Sequence, residues 1–179
     1  MQQKIIITGG PGTGKSTIIE ALKELGFFCL PEISREITLE ARKKGTEQLF
    51  LQDPQMFSEM LLEGRENQYH LADRTEEKFV FFDRGIPDIP AYLNYLGVKY
   101  DDLFINKSIS LRYTKVFLTP PWEKIYRQDT ERYEDFEQAM AIHNHLENTY
   151  KQLEYTLTDI PLSSTDNRVE FILKTLNLG

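Results

Sequence analysis

Residues 9–16 read Gly9-Gly10-Pro11-Gly12-Thr13-Gly14-Lys15-Ser16. They match the pattern G-x-x-x-x-G-K-[ST] at every fixed position, and they lie between an apolar run, Ile5-Ile6-Ile7, and a stretch with helical spacing. Glycines let the backbone curl so that successive N–H groups point at a phosphate chain, and the dipole of the following helix adds positive charge at the same place. The stretch therefore predicts a phosphate-binding loop for a nucleoside triphosphate.

The polar side chains of this loop have predicted roles of their own. Lys15 is expected to reach the β- and γ-phosphates, and the Ser16 hydroxyl is expected to ligate Mg²⁺. The residues predicted to bind the nucleotide are Gly10, Gly12, Thr13, Gly14, Lys15, Ser16 and Thr17. ATP and Mg²⁺ are therefore the predicted cofactors, and the motif leaves the choice between ATP and GTP open.

The bulk composition predicts one globular domain over residues 1–179. A formal net charge of −7 disfavours a general role in coating nucleic acid, because that role needs a basic surface. The single cysteine, Cys29, excludes an internal disulfide and a cysteine-based zinc cluster. The N-terminus enters the first predicted strand by residue 4, and no apolar run approaches the roughly 18 residues that cross a bilayer. We therefore expect a cytoplasmic protein with no signal peptide and no membrane span.

Strand and helix patterns alternate along the chain. The predicted strands are five short apolar runs over residues 4–8, 27–30, 79–82, 116–118 and 160–162. Helical stretches separate them, which predicts a five-stranded parallel sheet with helices on both faces, the α/β fold of P-loop NTPases. Ligands of such sheets bind at the C-terminal ends of the strands. The residues at these ends are Gly9, Glu32, Asp83, Pro120 and Ser164.

Asp83 ends an apolar run of four residues, as the Walker B acid does. It is predicted to hold Mg²⁺ opposite Ser16, and the alternative is an aspartate that caps the next turn. Arg84 follows it, where an ATPase that drives motion usually carries a glutamate that polarises water. Because arginine stays protonated, Arg84 is better suited to binding a phosphate or an acceptor molecule.

Glu32 follows the second predicted strand and is expected to face the phosphate-binding loop. Its carboxylate is a candidate base that accepts the proton of an acceptor hydroxyl during phosphoryl transfer. Arg35 lies one helical turn away and is predicted to pair with Glu32 or to bind the acceptor. The alternative, an ordinary ion pair on the surface, is equally compatible with the sequence.

Residues 126–133 form a charged segment that contains Arg127 and Arg132. Such a segment is typical of a kinase lid that closes over the phosphates, excludes water and stabilises charge on the transferred group. A solvated helical stretch with local arginine–glutamate pairs is the alternative.

Together these residues resemble the NadR-like group of small P-loop kinases and predicted AAA-type ATPases, which is related to nucleoside and nucleotide kinases. The resemblance covers essentially the whole chain and rests on residues 9–17, 31–35, 81–85, 88–92 and 127–132. It implies that Glu32 serves as the base and that Asp83-Arg84 corresponds to the acid–arginine pair of nucleoside kinases. Those kinases often carry a serine next, where this chain has Gly85.

Two functions from different classes follow from these observations. The first is a kinase that transfers the γ-phosphoryl group of ATP to a small nucleoside-like acceptor, with Lys15, Glu32, Asp83, Arg127 and Arg132 as catalytic residues. The second is an ATPase- or GTPase-type regulatory or binding module without an acceptor. The acidic composition disfavours a third function, a nucleic-acid end kinase, and the sequence leaves the oligomeric state open.

Overall fold

A computed structural model describes residues 1–43, 45–46, 48–126 and 134–178. Over these residues, five parallel strands form one sheet in the order β2-β3-β1-β4-β5. The strands are β1 (Gln3–Gly9), β2 (Phe28–Leu30), β3 (Phe79–Asp83), β4 (Lys115–Thr119) and β5 (Leu157–Asp159). The predicted five-stranded parallel sheet is confirmed.

Helices cover both faces of the sheet, as predicted. They are α1 (Lys15–Glu24), α2 (Ser34–Lys43), α3 (Leu49–Gln52), α4 (Pro54–Asp73), α5 (Asp88–Tyr95), α6 (Leu103–Ser110), α7 (Phe136–Gln152) and α8 (Thr165–Thr175). Within the described ranges, no helix is long and apolar enough to cross a membrane.

The central strand β1 shows why the sequence forms a two-faced core. Ile5, Ile6 and Ile7 are all 0% exposed. Successive side chains of a strand point to opposite faces, so Ile5 and Ile7 pack with α1 and α8, whereas Ile6 packs with residues of α2, α4, α5 and α7. A continuous apolar run is therefore needed at this position, because a parallel strand in the middle of the sheet has no solvent-facing side.

The last predicted strand is wrong in its bounds. The structure places β5 at Leu157–Asp159, whereas residues 160–162 lie beyond it. The N–H of Ile160 donates to the carbonyl of Leu118 at 2.8 Å. Pro161 then follows and has no N–H to continue the pairing. The apolar pattern favours the residues after the strand, because β5 is at the edge of the sheet and does not need a fully apolar run.

The strand order brings the candidate residues to one edge of the sheet. β1 lies between β3 and β4, and β2 lies on the far side of β3. In the β1–β3 register Ile7 pairs with Asp83, so the end of β3 lies beside the start of the glycine-rich loop. Glu32, two residues beyond β2, comes to the same edge because β2 pairs with β3.

Candidate active site

The glycine-rich loop connects β1 to α1 and is held in a compact shape. Gly14 is the N-cap of α1 with a φ of 84°, a left-handed conformation that favours glycine. Gly9 approaches β4 so closely that an added Cβ would lie 2.0 Å from Thr119 Oγ1. The loop therefore needs glycine at these positions for two different reasons, backbone conformation and close approach.

Three side chains brace the loop from within and from behind. The Thr13 hydroxyl donates to the carbonyl of Gly10 at 3.0 Å and lies 2.7 Å from the hydroxyl of Thr119. Arg168 of α8 is 3% exposed, and its Nη1 donates to the carbonyl of Thr13 at 2.9 Å. Sequence analysis missed Thr119 and Arg168, because neither belongs to the loop motif.

Lys15 lies at the start of α1 and is 8% exposed. Its Nζ donates to the carbonyl of Gly10 at 2.7 Å. Burial, and to a smaller extent the nearby Arg84, lowers the pKa of Lys15 to about 7, although Asp83 and Glu32 act in the opposite direction. A bound anion would favour the charged ammonium form, so this side chain is suited to meeting phosphate.

Asp83 ends β3 and is 6% exposed. Its Oδ1 is buried and has no hydrogen-bond partner among the described residues. Burial raises the pKa of Asp83, and the charge of Lys15 opposes that rise. Asp83 and Ser16 line the same cavity and offer a carboxylate and a hydroxyl oxygen, the donors that Mg²⁺ prefers. The orphaned carboxylate oxygen therefore fits a magnesium ion at this position.

The described residues contain no cluster of three histidine, cysteine, aspartate or glutamate side chains that could hold a metal by itself. Magnesium commonly binds one or two protein oxygens and takes its other ligands from water and substrate phosphates. The donor set of Ser16 and Asp83 is of that kind, and its metal role stays a prediction.

Glu32 lies between two arginines, the buried Arg65 and the partly buried Arg84. Its Oε2 contacts Nε of Arg84, its Oε1 lies 3.5 Å from Nη2 of Arg65, and the N–H of Ser34 donates to Oε1 at 3.0 Å. Burial alone would raise the pKa of Glu32, but Arg84 and Arg65 outweigh it and hold the pKa below its usual range. The Glu32 carboxylate is therefore ionised at neutral pH, as a general base must be.

Arg84 is held by contacts on several sides. Its φ is 72°, and its Nη1 donates to the carbonyl of Gly9 at 3.1 Å and to Asp88 Oδ1 at 3.2 Å. Its guanidinium carbon lies 5.3 Å from the centre of the Tyr92 ring. The predicted substrate-binding role of Arg84 stays a prediction, and in the structure its charge is engaged by Glu32 and Asp88.

Arg65 was missed by the sequence analysis. It is 3% exposed on α4, and its Nη1 donates to the carbonyl of Gly85 at 2.9 Å. One signal could have found it, since Arg65 follows the buried Leu61 and Leu62 at helical spacing and is thus a charge on an apolar helix face.

Arg35 lies in the first turn of α2, is exposed and lines the cavity wall. Arg84, directly after β3, and Arg65 of α4 both contact Glu32. Arg127 and Arg132, the predicted lid arginines, lie outside the described residues.

A cavity of about 640 Å³ joins the phosphate-binding loop to Glu32. Its polar lining includes Lys15, Asp83 and Arg84, and its apolar walls include Phe57 and Tyr92. This volume is in the range of small-molecule sites. A second cavity of about 320 Å³ also adjoins Gly12 and Gly14, and its lining includes Trp122, Ile125, Ser163, Ser164, Thr165 and Arg168.

Comparison with known proteins places the chain in a family. A family model described as an AAA domain matches residues 4–168. The chain belongs to this AAA-domain family. A search of curated proteins gives no match to this AAA-domain protein.

Solved structures share the fold of this AAA-domain protein over nearly its whole length. Deoxyadenosine kinase from M. mycoides with bound dATP has a TM-score of 0.70 and 22% identity, with coverage of 98% of this chain and 100% of that one. Thymidylate kinase from Ehrlichia chaffeensis has a TM-score of 0.64 and 17% identity, with 98% of each chain covered.

NadR in complex with NR has a TM-score of 0.73 and 14% identity, with coverage of 97% of this chain and 50% of NadR. The AAA-domain protein thus corresponds to about half of NadR. The predicted resemblance to the NadR-like group and to nucleoside and nucleotide kinases is confirmed in the fold by these structures, and the AAA-type part of the prediction is confirmed by the family model.

The packing around Gly85 explains why this AAA-domain protein has glycine where nucleoside kinases often carry a serine. An added Cβ would lie 2.2 Å from Ile6 Cδ1 and 3.2 Å from the hydroxyl of Tyr150. The serine that nucleoside kinases often carry here therefore has no room, because the side chains of Ile6 and Tyr150 fill the space.

Gly85→Ala is expected to lower the free energy of unfolding by about 1–3 kcal/mol, because the extra methyl group overpacks this point of the core. Urea denaturation measures the loss. Ile6→Val removes the Cδ1 atom that lies 2.2 Å away, so the alanine should cost less in that background. An equal loss in both backgrounds would show that Ile6 is not the obstacle.

Proposed function

We propose that this AAA-domain protein transfers the γ-phosphoryl group of a nucleoside triphosphate to a hydroxyl group of a small, nucleoside-like acceptor, with Mg²⁺. The observation that carries the proposal is the position of Glu32, whose carboxylate lines the same cavity as the phosphate-binding loop. A hydroxyl acceptor must lose its proton during transfer, and a carboxylate in this position can accept it.

In this proposal the triphosphate binds through Gly10, Gly12, Thr13, Gly14, Lys15, Ser16 and Thr17. Ser16 and Asp83 would hold Mg²⁺, which neutralises phosphate charge when it is bound. The acceptor oxygen attacks the γ-phosphorus while its proton passes to Glu32, and the nucleoside diphosphate leaves. Lys15 stabilises the charge on the phosphoryl oxygens.

The charges near Glu32 favour an acceptor that presents a hydroxyl over one that presents a phosphate. Two arginines, the partly buried Arg84 and the buried Arg65, face two carboxylates, the partly buried Glu32 and the buried Asp88. Their charges balance, so this group offers no surplus positive charge to an anionic acceptor. A phosphate acceptor also needs no base, and the Glu32 carboxylate would repel it.

The cavity walls support an acceptor with a flat apolar portion. Phe57 of α4 and Tyr92 of α5 line the space beside Glu32 and Arg84, where an aromatic ring can stack on a base. The exposed Arg35 remains a predicted acceptor contact at the wall. Arg127 and Arg132 remain the predicted lid arginines that stabilise the transferred group.

The smaller cavity is our proposed site for the base of the donor nucleotide. It adjoins Gly12 and Gly14 and is bounded by Trp122 and Arg168. A base there would leave the triphosphate directed along the loop towards Lys15.

The test is a panel of nucleosides and the matching nucleoside monophosphates, each incubated with the protein, Mg²⁺ and γ-labelled ATP or GTP. Labelled nucleoside monophosphate is the expected product. Label transferred only to the monophosphates would contradict the assignment of a hydroxyl acceptor. Release of phosphate with no labelled acceptor across the panel would favour the regulatory ATPase or GTPase module.

A further inference from the structure

A second buried carboxylate, Asp88, lies behind the Glu32–Arg84 pair and takes no part in the transfer step proposed above. It is 1% exposed at the start of α5. Its Oδ1 accepts from the hydroxyl of Thr8 at 2.6 Å and from Nη1 of Arg84 at 3.2 Å. Its Oδ2 accepts from the N–H of Gly85 at 3.0 Å and from the hydroxyl of Tyr150 at 2.5 Å.

Tyr150 reaches this point from α7, which packs in the same core cluster as α5, and is 0% exposed. Burial and the charge of Asp88 raise the pKa of Tyr150 well above its usual value, so its hydroxyl keeps its proton and donates it to Asp88. The two residues are 62 positions apart in the chain. Tyr150 therefore connects α7 to the carboxylate that holds Arg84.

We propose that Tyr150 is a positioning residue that fixes the Arg84 guanidinium through Asp88, and through Arg84 the carboxylate of Glu32. The proposal rests on the proposed function, in which Glu32 is the base. Tyr150 itself touches neither the acceptor nor the phosphates.

Two carboxylates, Glu32 and Asp88, compete for the guanidinium of Arg84. Arg84 contacts Glu32 with Nε and Asp88 with Nη1. Tyr150 and Thr8 satisfy part of the hydrogen-bonding capacity of Asp88, which limits how strongly Asp88 draws Arg84 towards itself. Without the Tyr150 hydroxyl, Asp88 would take more of the Arg84 guanidinium and Glu32 would be held less firmly.

Other charged groups also face this network. Arg65 on α4 contacts Glu32, and Lys15 on α1 and Asp83 at the end of β3 act on it through their charges. None of these groups contacts Tyr150 in the described part of the chain. Tyr150→Phe therefore removes only the hydroxyl that donates to Asp88, and it leaves the other charged groups around Arg84 and Glu32 in place.

The experiment compares Tyr150→Phe with Tyr155→Phe. Tyr155 is a matched control, because it is 8% exposed, its ring lies 5.4 Å from that of Tyr150, and its hydroxyl contacts the N–H of Tyr113 and not Asp88. The first measurement is the ¹⁵N–¹H NMR signal of Arg84 Nε, assigned by its loss in Arg84→Lys. The second measurement determines kcat and the acceptor KM separately, with a nucleoside that the protein phosphorylates as the acceptor.

In Tyr150→Phe we expect the Arg84 Nε signal to shift or broaden, and kcat to fall about tenfold with the acceptor KM changed by less than about twofold. In Tyr155→Phe both should match the wild type. An unchanged Arg84 signal in a folded Tyr150→Phe variant would overturn the proposal, as would an equal change in Tyr155→Phe.

A second variant covers the case in which Tyr150→Phe does not fold. Thr8→Val keeps the side-chain shape and removes the other hydroxyl that donates to Asp88, so it should disturb the same signal. An undisturbed signal in Thr8→Val would then overturn the proposal. The NMR measurement needs no substrate, so a protein that phosphorylates nothing in the panel refutes the proposed function while the Arg84 signal still decides the role of Tyr150.

Discussion

Glu32→Gln is expected to lower kcat for transfer to a nucleoside by about 10²–10⁴-fold, the usual contribution of a general base. Glutamine has nearly the same shape but cannot accept the hydroxyl proton. The measurement is the initial rate of labelled product at saturating acceptor. A decrease of less than about threefold would make Glu32 a structural residue, because the loss of a general base lowers the rate far more than that.

The matched control for this variant is Glu66→Gln. Glu66 is also a carboxylate in an ion pair, with Lys107 at 2.6 Å, but it lies on α4 and does not line the cavity. Its kcat should equal that of the wild type. Binding of the triphosphate to Glu32→Gln, measured by calorimetry, should persist because the phosphate-binding loop is intact.

Glu32→Gln should also lower the free energy of unfolding, by about 3–5 kcal/mol, because it leaves the buried Arg65 and the partly buried Arg84 without their shared carboxylate. The pKa of Glu32 is lowered in the folded protein from an ordinary value of 4.5. Its stabilising contribution is therefore complete above pH 4.5 and is lost as the pH falls through the lower, folded pKa. The stability difference between wild type and Glu32→Gln should accordingly shrink in acid, and a difference that grows there would contradict the ion pairing.

Lys15→Ala is expected to lower kcat by about 10²–10³-fold and to weaken triphosphate binding, because it removes a positioned donor to the phosphoryl oxygens. Labelled transfer and calorimetry with the magnesium triphosphate measure the two effects. Lys151→Ala is the control, since Lys151 is an exposed lysine of α7 paired with Glu147 at 2.6 Å. Unchanged affinity and rate in Lys15→Ala would refute the assignment of the loop.

Urea denaturation of Lys15→Ala shows whether its loss of activity and of triphosphate binding comes from misfolding. Burial lowers the pKa of Lys15 to about 7, which means that the charged form of this side chain is less stable in the folded protein than in the unfolded chain. Lys15→Ala should therefore unfold at the same urea concentration as the wild type or at a higher one at neutral pH. A marked loss of stability would mean that Lys15 also supports the fold.

Local patterns predicted most of the fold. The loop motif, the apolar runs of β1, β3 and β4, and the helical stripes each depend on residues that are close in sequence. The cap of α4 is a contact of the same local kind, because the Asp53 side chain accepts from the N–H of Met56, three residues later. The edge strand β5 was misplaced, since an edge strand is not constrained to be fully apolar.

The sequence by itself determined the parallel α/β sheet, the phosphate-binding loop and the presence of Glu32 and Asp83 at strand ends, because period and spacing encode these features directly. Only the tertiary structure showed that Glu32 pairs with Arg84 and Arg65, and that Tyr150 donates to Asp88. Those contacts join the segments after β2 and β3 to α4, and they join α5 to α7. The hydrogen bond from Arg168 to Thr13 spans 155 positions. Spacing along the chain cannot specify them, because such contacts form only when the order of the strands and the packing of the helices bring distant residues to one point.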